Sequence, residues 1–312
     1  MICRWTKEMN HRFKKYEVIL NDINSLRKQR VSHLYVIHKG NTFKYMNGRC
    51  GSGISGLTHL HICTFHNLHI NVFLRMQLPF FYTDQIAETG ALLTLNEETS
   101  KHVVNVLRMK QGEQLHLTNG KGILLTVEIV NDHKKRCEVI IKSVNNQTVP
   151  ATRVTIAISL LKNASRFEWF LEKATEIGVM GIVPLLCDRT ERQHFRKERM
   201  EAVLISAMLQ SRQCWLPELH EPLKYSEYLN TVSDSSNHQK LIAHCDELNP
   251  GNNLSTIKAF KHSTILIGPE GDFSKDEIQS ALDHKFIPVS LGETRLRTET
   301  AGIVAAALLK FT

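Results

Sequence analysis

The stretch Thr264-Ile265-Leu266-Ile267-Gly268-Pro269-Glu270-Gly271 decides how this chain is read, together with Ser274-Lys275-Asp276-Glu277 just beyond it. The β-branched and apolar run before Gly268 suits a strand buried on both faces. The Ser-x-x-Glu spacing is that of a helix capping box, whose hydroxyl and carboxylate satisfy N–H groups that a first helical turn leaves open. Gly268 to Gly271 is therefore the turn from a strand into a helix. A second strand is expected over 286–291, ending at Gly292, after which Leu296-Arg297-Thr298-Glu299-Thr300 opens an Ala-rich helix over 301–309. Two glycine turns at strand ends make a pocket walled by backbone, which suits a nucleoside-like ligand whose edges need directional hydrogen bonds. The plainer reading is a pair of ordinary strand-to-helix turns.

Working outward, Pro150 marks a change of pattern. Beyond it, 154–160 and 182–186 read as buried parallel strands, with Phe167, Phe170, Leu171, Ala174 and Ile177 at helical spacing between them and Gly178 as a C-cap. A helix passes through Ala202, Ile205, Ala207 and Leu209, and 240–244 is another strand. Before Pro150 the pattern is short strands and turns: 91–95, a helix over 97–108 capped by Asn96, then strands over 114–118, 123–130 and 137–144. This front part reads as a small β-barrel-like unit, and the part behind Pro150 as an α/β domain.

The chain has 312 residues, 42% hydrophobic, enough for two domains with their own cores. No apolar run has the length of a membrane span. Its seven cysteines are scattered without a Cys-x-x-Cys pair, which fits reduced thiols in a cytoplasmic protein. The net charge of +8 is unevenly placed: residues 1–75 hold 12 Lys+Arg against 3 Asp+Glu, whereas 76–312 hold 27 against 28. A nearly neutral body must attract a polyanion through local patches.

Residues 1–75 show no clean helical or strand period. They contain Gly51-Ser52-Gly53-Ile54-Ser55-Gly56, a literal dinucleotide fingerprint, but no acid follows at the distance a ribose would need. His59, His61, Cys63, His66 and His69 alternate as zinc ligands could, without the second cysteine pair of a finger. No metal site is expected.

In chain order, Ile267-Gly268-Pro269-Glu270-Gly271, Phe273-Ser274, Glu277, Val289-Ser290-Leu291-Gly292 and Leu296-Arg297-Thr298-Glu299-Thr300-Ala301 resemble the C-terminal signature of the bacterial 16S rRNA (uracil-N3)-methyltransferases, the RsmE family of the SPOUT class. The resemblance runs from Met76 to the end. Glu168, Lys173, Glu176 and Gly178 fit a further family pattern, and Asp272 stands where many members have a second glycine. It implies an α/β fold with a trefoil-knotted methyltransferase domain over 151–312, a small PUA-like β-barrel domain over 76–150 and a cytoplasmic homodimer. Residues 1–75 then form an extension outside the family, expected to be disordered or non-native.

The implied reaction moves a methyl group from S-adenosylmethionine to N3 of a uridine, position 1498 of 16S rRNA in the usual numbering, within the small ribosomal subunit. The resemblance assigns the cofactor to Leu266, Ile267, Gly268, Pro269, Glu270, Gly271, Ser290, Leu291, Gly292, Leu296, Arg297 and Thr298. It assigns chemistry to Arg297, Glu299 and Glu270. Arg297 either neutralises the uracil anion or pairs with an acid; Glu270 and Glu299 either accept a proton or brace the loop, Glu299 as an acid at a helix N-terminus. Arg108, Lys134, Lys135, Arg136, Arg166, Arg189, Arg192 and Arg212 are candidate RNA contacts, each with a solvated-surface alternative. Two further functions stay open: a non-catalytic RNA-binding assembly factor on this fold, and a methyltransferase for another RNA position. A dinucleotide enzyme using the Gly51 turn is the reading that NAD binding would support.

Overall fold

The computed structural model describes residues 34–38, 41–45, 78–191, 195–244, 251–258 and 260–311. The chain divides into two compact units, Met1–Gln77 and Leu78–Thr312. In the first, the described residues form an antiparallel hairpin of β1 (Leu34–His38) and β2 (Asn41–Tyr45), paired Leu34 to Tyr45 through His38 to Asn41. The sequence of this segment shows no clean strand period, yet residues 34–38 and 41–45 are strands. The Gly51 fingerprint and the histidine cluster lie outside the described residues.

The second unit begins with a five-stranded sheet in the order β3 (Phe80–Tyr82), β5 (Gln114–Thr118), β6 (Ile123–Asn131), β7 (Glu138–Asn146) and β4 (Leu92–Thr94). Alternate residues of β6 and β7 point inward, so Leu125, Val127, Ile129, Val139 and Ile141 bury one face. Asn96 caps α1 (Glu97–Lys101) by accepting from the Thr99 N–H at 2.8 Å, as the sequence indicates. The helix is shorter than expected. It widens into a π turn over His102–Val106, and Arg108 then leaves helical space with φ 58°.

The larger sheet has eight strands, and every pairing within it is parallel. Its members are β8 (Arg153–Ser159), β9 (Gly181–Leu186), β10 (Glu218–Leu219), β11 (Leu223–Lys224), β12 (His238–Ala243), β13 (Asn252–Asn253), β14 (His262–Ile267) and β15 (Ile287–Ser290). The order is β10-β9-β8-β14-β12-β15-β13, with β11 also on β9.

The near-continuous apolar strands are explained by cover on both faces. Ile156, Ile158, Ile265 and Ile267 pack with residues of α2 (Ala164–Ile177), α3 (Lys197–Gln210) and α6 (Thr298–Phe311). Their neighbours Ala157, Leu266, Ile242 and Leu185 pack with α4 (Tyr225–Thr231) and α5 (Lys275–Asp283) on the other side. The result is helix, sheet, helix. Gly302 lets α6 approach α2, since a Cβ there would lie 2.6 Å from the Phe170 ring. Gly178 ends α2 with φ 89°, as the C-cap reading requires. Within the second family pattern, Arg199 grips Glu168 with two hydrogen bonds of 2.6 and 2.9 Å, joining α3 to α2.

Candidate active site

Parallel strands end together, so the turns that follow β12, β14 and β15 gather at one edge of the sheet. Register pairs Ala243 with both Ile267 and Val289. There the chain encloses a cavity of about 890 Å³, large enough for a nucleoside-sized ligand. Its wall includes Ile267, Gly268, Pro269, Glu270, Ser290, Leu291, Gly292, Leu296, Arg297 and Thr298, ten of the residues read from the sequence.

The glycines have distinct jobs. Gly292 has φ 129°, a conformation that costs a side-chain-bearing residue, and a Cβ there would meet nothing within 4 Å. Backbone strain, not crowding, is what requires glycine at that position. At Gly268 a Cβ would lie 3.1 Å from the Phe273 ring, so the turn folds directly over that aromatic. Asp272 takes φ 64°, the left-handed geometry a glycine would supply. The capping box is present in both halves: the Ser274 Oγ accepts from the Glu277 N–H at 3.2 Å, and the Glu277 carboxylate accepts from the Ser274 N–H at 2.8 Å.

Three residues named from the sequence do not line the cavity. Leu266 is fully buried on the α4/α5 face because strand alternation turns it away from its neighbour Ile267. Gly271 sits in the turn beyond the wall, its carbonyl accepting from the Arg189 Nη1 at 2.6 Å. Glu299 is 6% exposed in the first turn of α6, its carboxylate 3.8 Å from the Arg166 Nε. Glu270 accepts from the Lys162 N–H at 3.3 Å, which ties the turn after β14 to the turn after β8.

Arg297 differs from these acids. Its carbonyl accepts from the Ala301 N–H at 2.8 Å, and its side chain is exposed in the cavity wall without a salt bridge among the described residues. The sequence reading omitted Arg295, His244, Ala243 and Asn253, which also line the cavity. Ala243 and His244 end the strand read at 240–244, so strand-end alignment was their available signal. Asn253 had none: it arrives through the pairing of β13 with β15.

The RNA candidates fall into separate places. Arg108, Lys134, Lys135 and Arg136 are exposed on the small domain, Lys135 within 3.7 Å of Glu97. Arg212 is exposed with φ 58° beside a second cavity of about 630 Å³ where the two sheets' domains meet. Its charge and, more strongly, burial lower the pKa of His116 there. Arg166 and Arg189 point to partners of their own, as above. Arg192 lies outside the described residues.

Comparison with known proteins fits both halves of this unit. Residues 148–310 match the model of an RNA methyltransferase domain, and residues 95–142 that of an RNA methyltransferase PUA domain. These matches define the class as an RNA methyltransferase carrying a PUA domain. Ribosomal RNA small subunit methyltransferase E of Synechocystis sp. is 30% identical, over 72% of this chain and 74% of its own. Among solved structures, a probable rRNA-methyltransferase from Porphyromonas gingivalis is 38% identical with a TM-score of 0.68, covering 75% of this chain and 98% of its own. A ribosomal RNA small subunit methyltransferase E from Neisseria gonorrhoeae, bound to S-adenosyl methionine, is 29% identical with a TM-score of 0.66, covering 74% and 95%. The chain belongs to the ribosomal RNA small subunit methyltransferase E family.

Proposed function

We propose that this chain transfers a methyl group from S-adenosylmethionine to N3 of a uridine in the rRNA of the small ribosomal subunit, at position 1498 of 16S rRNA in the usual numbering. In this reading residues 76–150 bind RNA, residues 151–312 carry the chemistry, and a cytoplasmic homodimer is the working form. Arg108, the Lys134–Arg136 corner, Arg192 and Arg212 remain the RNA contacts of that reading, with Arg166 instead beside Glu299. The observation that carries the reading is an exposed Arg297, without a salt bridge among the described residues, in the wall of a backbone-lined cavity at the carboxyl edge of the sheet.

The residues fit the cofactor. The strained Gly292 turn and the Gly268 turn bring main chain to the cavity surface, and Ile267, Val289 and Leu291 add apolar wall for a purine. When bound, S-adenosylmethionine supplies an electrophilic methyl carbon on a sulfonium, which needs no metal.

The chain's own task is to make uracil a nucleophile and to aim it. N3–H lies on the base-pairing edge, so the base must be unpaired to enter. It is a weak acid, and its anion attacks far better than the neutral imide. Arg297 stabilises the negative charge on the uracil oxygens as N3 gives its proton to solvent, acting in a site where donors are already oriented. Glu270 and Glu299 brace the loops around it through the Lys162 N–H and Arg166.

Arg297→Ala tests this directly. Single-turnover methylation of small subunits, with cofactor saturating, is expected to slow by about 10² to 10³, with a much smaller change in cofactor affinity. Raising the pH recovers part of that loss, because solvent hydroxide then forms the anion that the arginine favours. Parallel pH profiles for parent and variant would reduce Arg297 to a loop brace.

A further inference from the structure

We infer that Asp188, Arg189 and Thr190, with the buried Glu277, form a staple that holds the Gly268–Ser274 turn in its cofactor-receiving shape, so that Arg189 is a positioning residue and not an RNA contact. The inference rests on reading the large cavity as the cofactor site.

The turn after β9 and the turn after β14 stand on either side of β8, so no sheet hydrogen bond joins them. Side chains do it instead. The Glu277 carboxylate, on a residue only 6% exposed, accepts from two backbone N–H groups at once: Asp188 at 2.9 Å and Ser274 at 2.8 Å. The Ser274 Oγ donates to the Asp188 carboxylate at 2.7 Å, closing a ring between the two turns. Arg189 reaches across to the Gly271 carbonyl at 2.6 Å, and its Cδ would lie 3.3 Å from a Cβ placed at Gly271. Thr190 fixes the base of the staple, since its hydroxyl lies 2.8 Å from the Ser159 hydroxyl at the end of β8 and accepts from the Cys187 N–H. The Tyr225 hydroxyl donates to the Glu277 carbonyl at 2.8 Å from the helix behind.

Three consecutive residues therefore all direct polar groups to neighbouring backbone or side chains, two of them to the Gly268–Ser274 turn. The turn they hold contains Asp272 in left-handed geometry, a conformation that persists only where its surroundings determine it. Charge-assisted hydrogen bonds are about twice as strong as neutral ones, and Arg189 to Gly271 and Glu277 to two N–H groups are of that kind. Releasing them loosens Gly268, Pro269 and Glu270, which line the cavity.

The experiment uses the full chain and three variants, Arg189→Ala, Arg189→Lys and Glu277→Gln. Calorimetric titration with S-adenosylmethionine is combined with amide hydrogen exchange over 268–274 and salt-dependent binding to small subunits. Arg189→Ala is expected to weaken cofactor binding about tenfold, the scale of one charge-assisted bond, and to speed exchange in that turn. Arg189→Lys restores part of both, because an ammonium can still donate to the carbonyl. Glu277→Gln gives a larger loss, its amide being unable to accept from both N–H groups. The salt slope of RNA binding stays at the parent value in both Arg189 variants.

Unchanged exchange in Arg189→Ala overturns the staple. Faster exchange with parent cofactor affinity overturns its positioning role, and a flattened salt slope with parent affinity returns Arg189 to the RNA. A parent chain that binds no S-adenosylmethionine refutes the reading of the cavity, while exchange still decides the staple.

Discussion

The two edges of the parallel sheet are built by different means. At the carboxyl edge, turns are shaped by charged side chains reaching across them: Glu277 to Asp188, Arg189 to Gly271, Glu270 to Lys162, Arg166 beside Glu299. At the amino edge the small domain is joined by side chains pressed onto glycine, Trp215 onto Gly122 and Leu216 onto Gly120. Trp215 and Lys121 form an antiparallel bridge, the Gly122 N–H donates to the Cys214 carbonyl at 2.7 Å, and the Leu216 N–H donates to the Gly120 carbonyl at 2.8 Å. A polar network can set a shape to fit a ligand while remaining wet, whereas a glycine against an indole leaves no room to move. The first suits a binding site and the second suits a joint.

The sharpest way to break this contrast is at the joint. A Cβ on Gly122 would lie 2.3 Å from the Trp215 ring, and φ there is 85°. Gly122→Val combines overpacking with left-handed strain and is expected to lower stability by about 3 kcal/mol in denaturant titration. A loss under about 1 kcal/mol would show that the domains are not locked by this contact.

At the other edge the same kind of substitution acts on binding. Gly268→Val must displace Phe273 and Gly292→Val must hold φ 129°, so each is expected to abolish measurable S-adenosylmethionine binding in calorimetry. Far-ultraviolet circular dichroism should keep the parent spectrum, since neither turn belongs to a core strand. Cofactor affinity at the parent value in both variants contradicts the cavity as drawn.

A smaller effect separates the RNA candidates. Arg108 and Arg212, exposed and outside any salt bridge among the described residues, are expected to contact phosphates. Replacing either by alanine should flatten the log–log salt dependence of subunit binding by about 0.7 to 0.9. An unchanged slope assigns that arginine to the solvated surface.

Much of this was legible in the sequence, and the pattern of what was not is physical. The strand over 114–118, the Asn96 cap, the Ser274 capping box and the Gly178 C-cap are local arrangements, decided by residues within one turn or strand. The cavity's glycine turns were legible for the same reason. What the sequence hid came from tertiary order. Leu266 sits beside cavity residues in the chain but faces the other helix layer, and Asn253 reaches the cavity only because β13 flanks β15. The seven-residue α4 is too short to show a helical period. Arg189, in a loop rich in charge, reads as a surface cation until Gly271 is seen beneath it.

The function proposed for this chain comes down to one methyl transfer. Small ribosomal subunits lacking the modification are incubated with the full chain and S-adenosylmethionine labelled in its methyl group, and the rRNA is digested to nucleosides for mass spectrometry. The expected result is label in 3-methyluridine, at one position per subunit, and none with Arg297→Ala over the time in which the parent reaction completes. Label in another nucleoside, or no label in the presence of demonstrated cofactor binding, would contradict the reading of this chain as a uridine N3-methyltransferase.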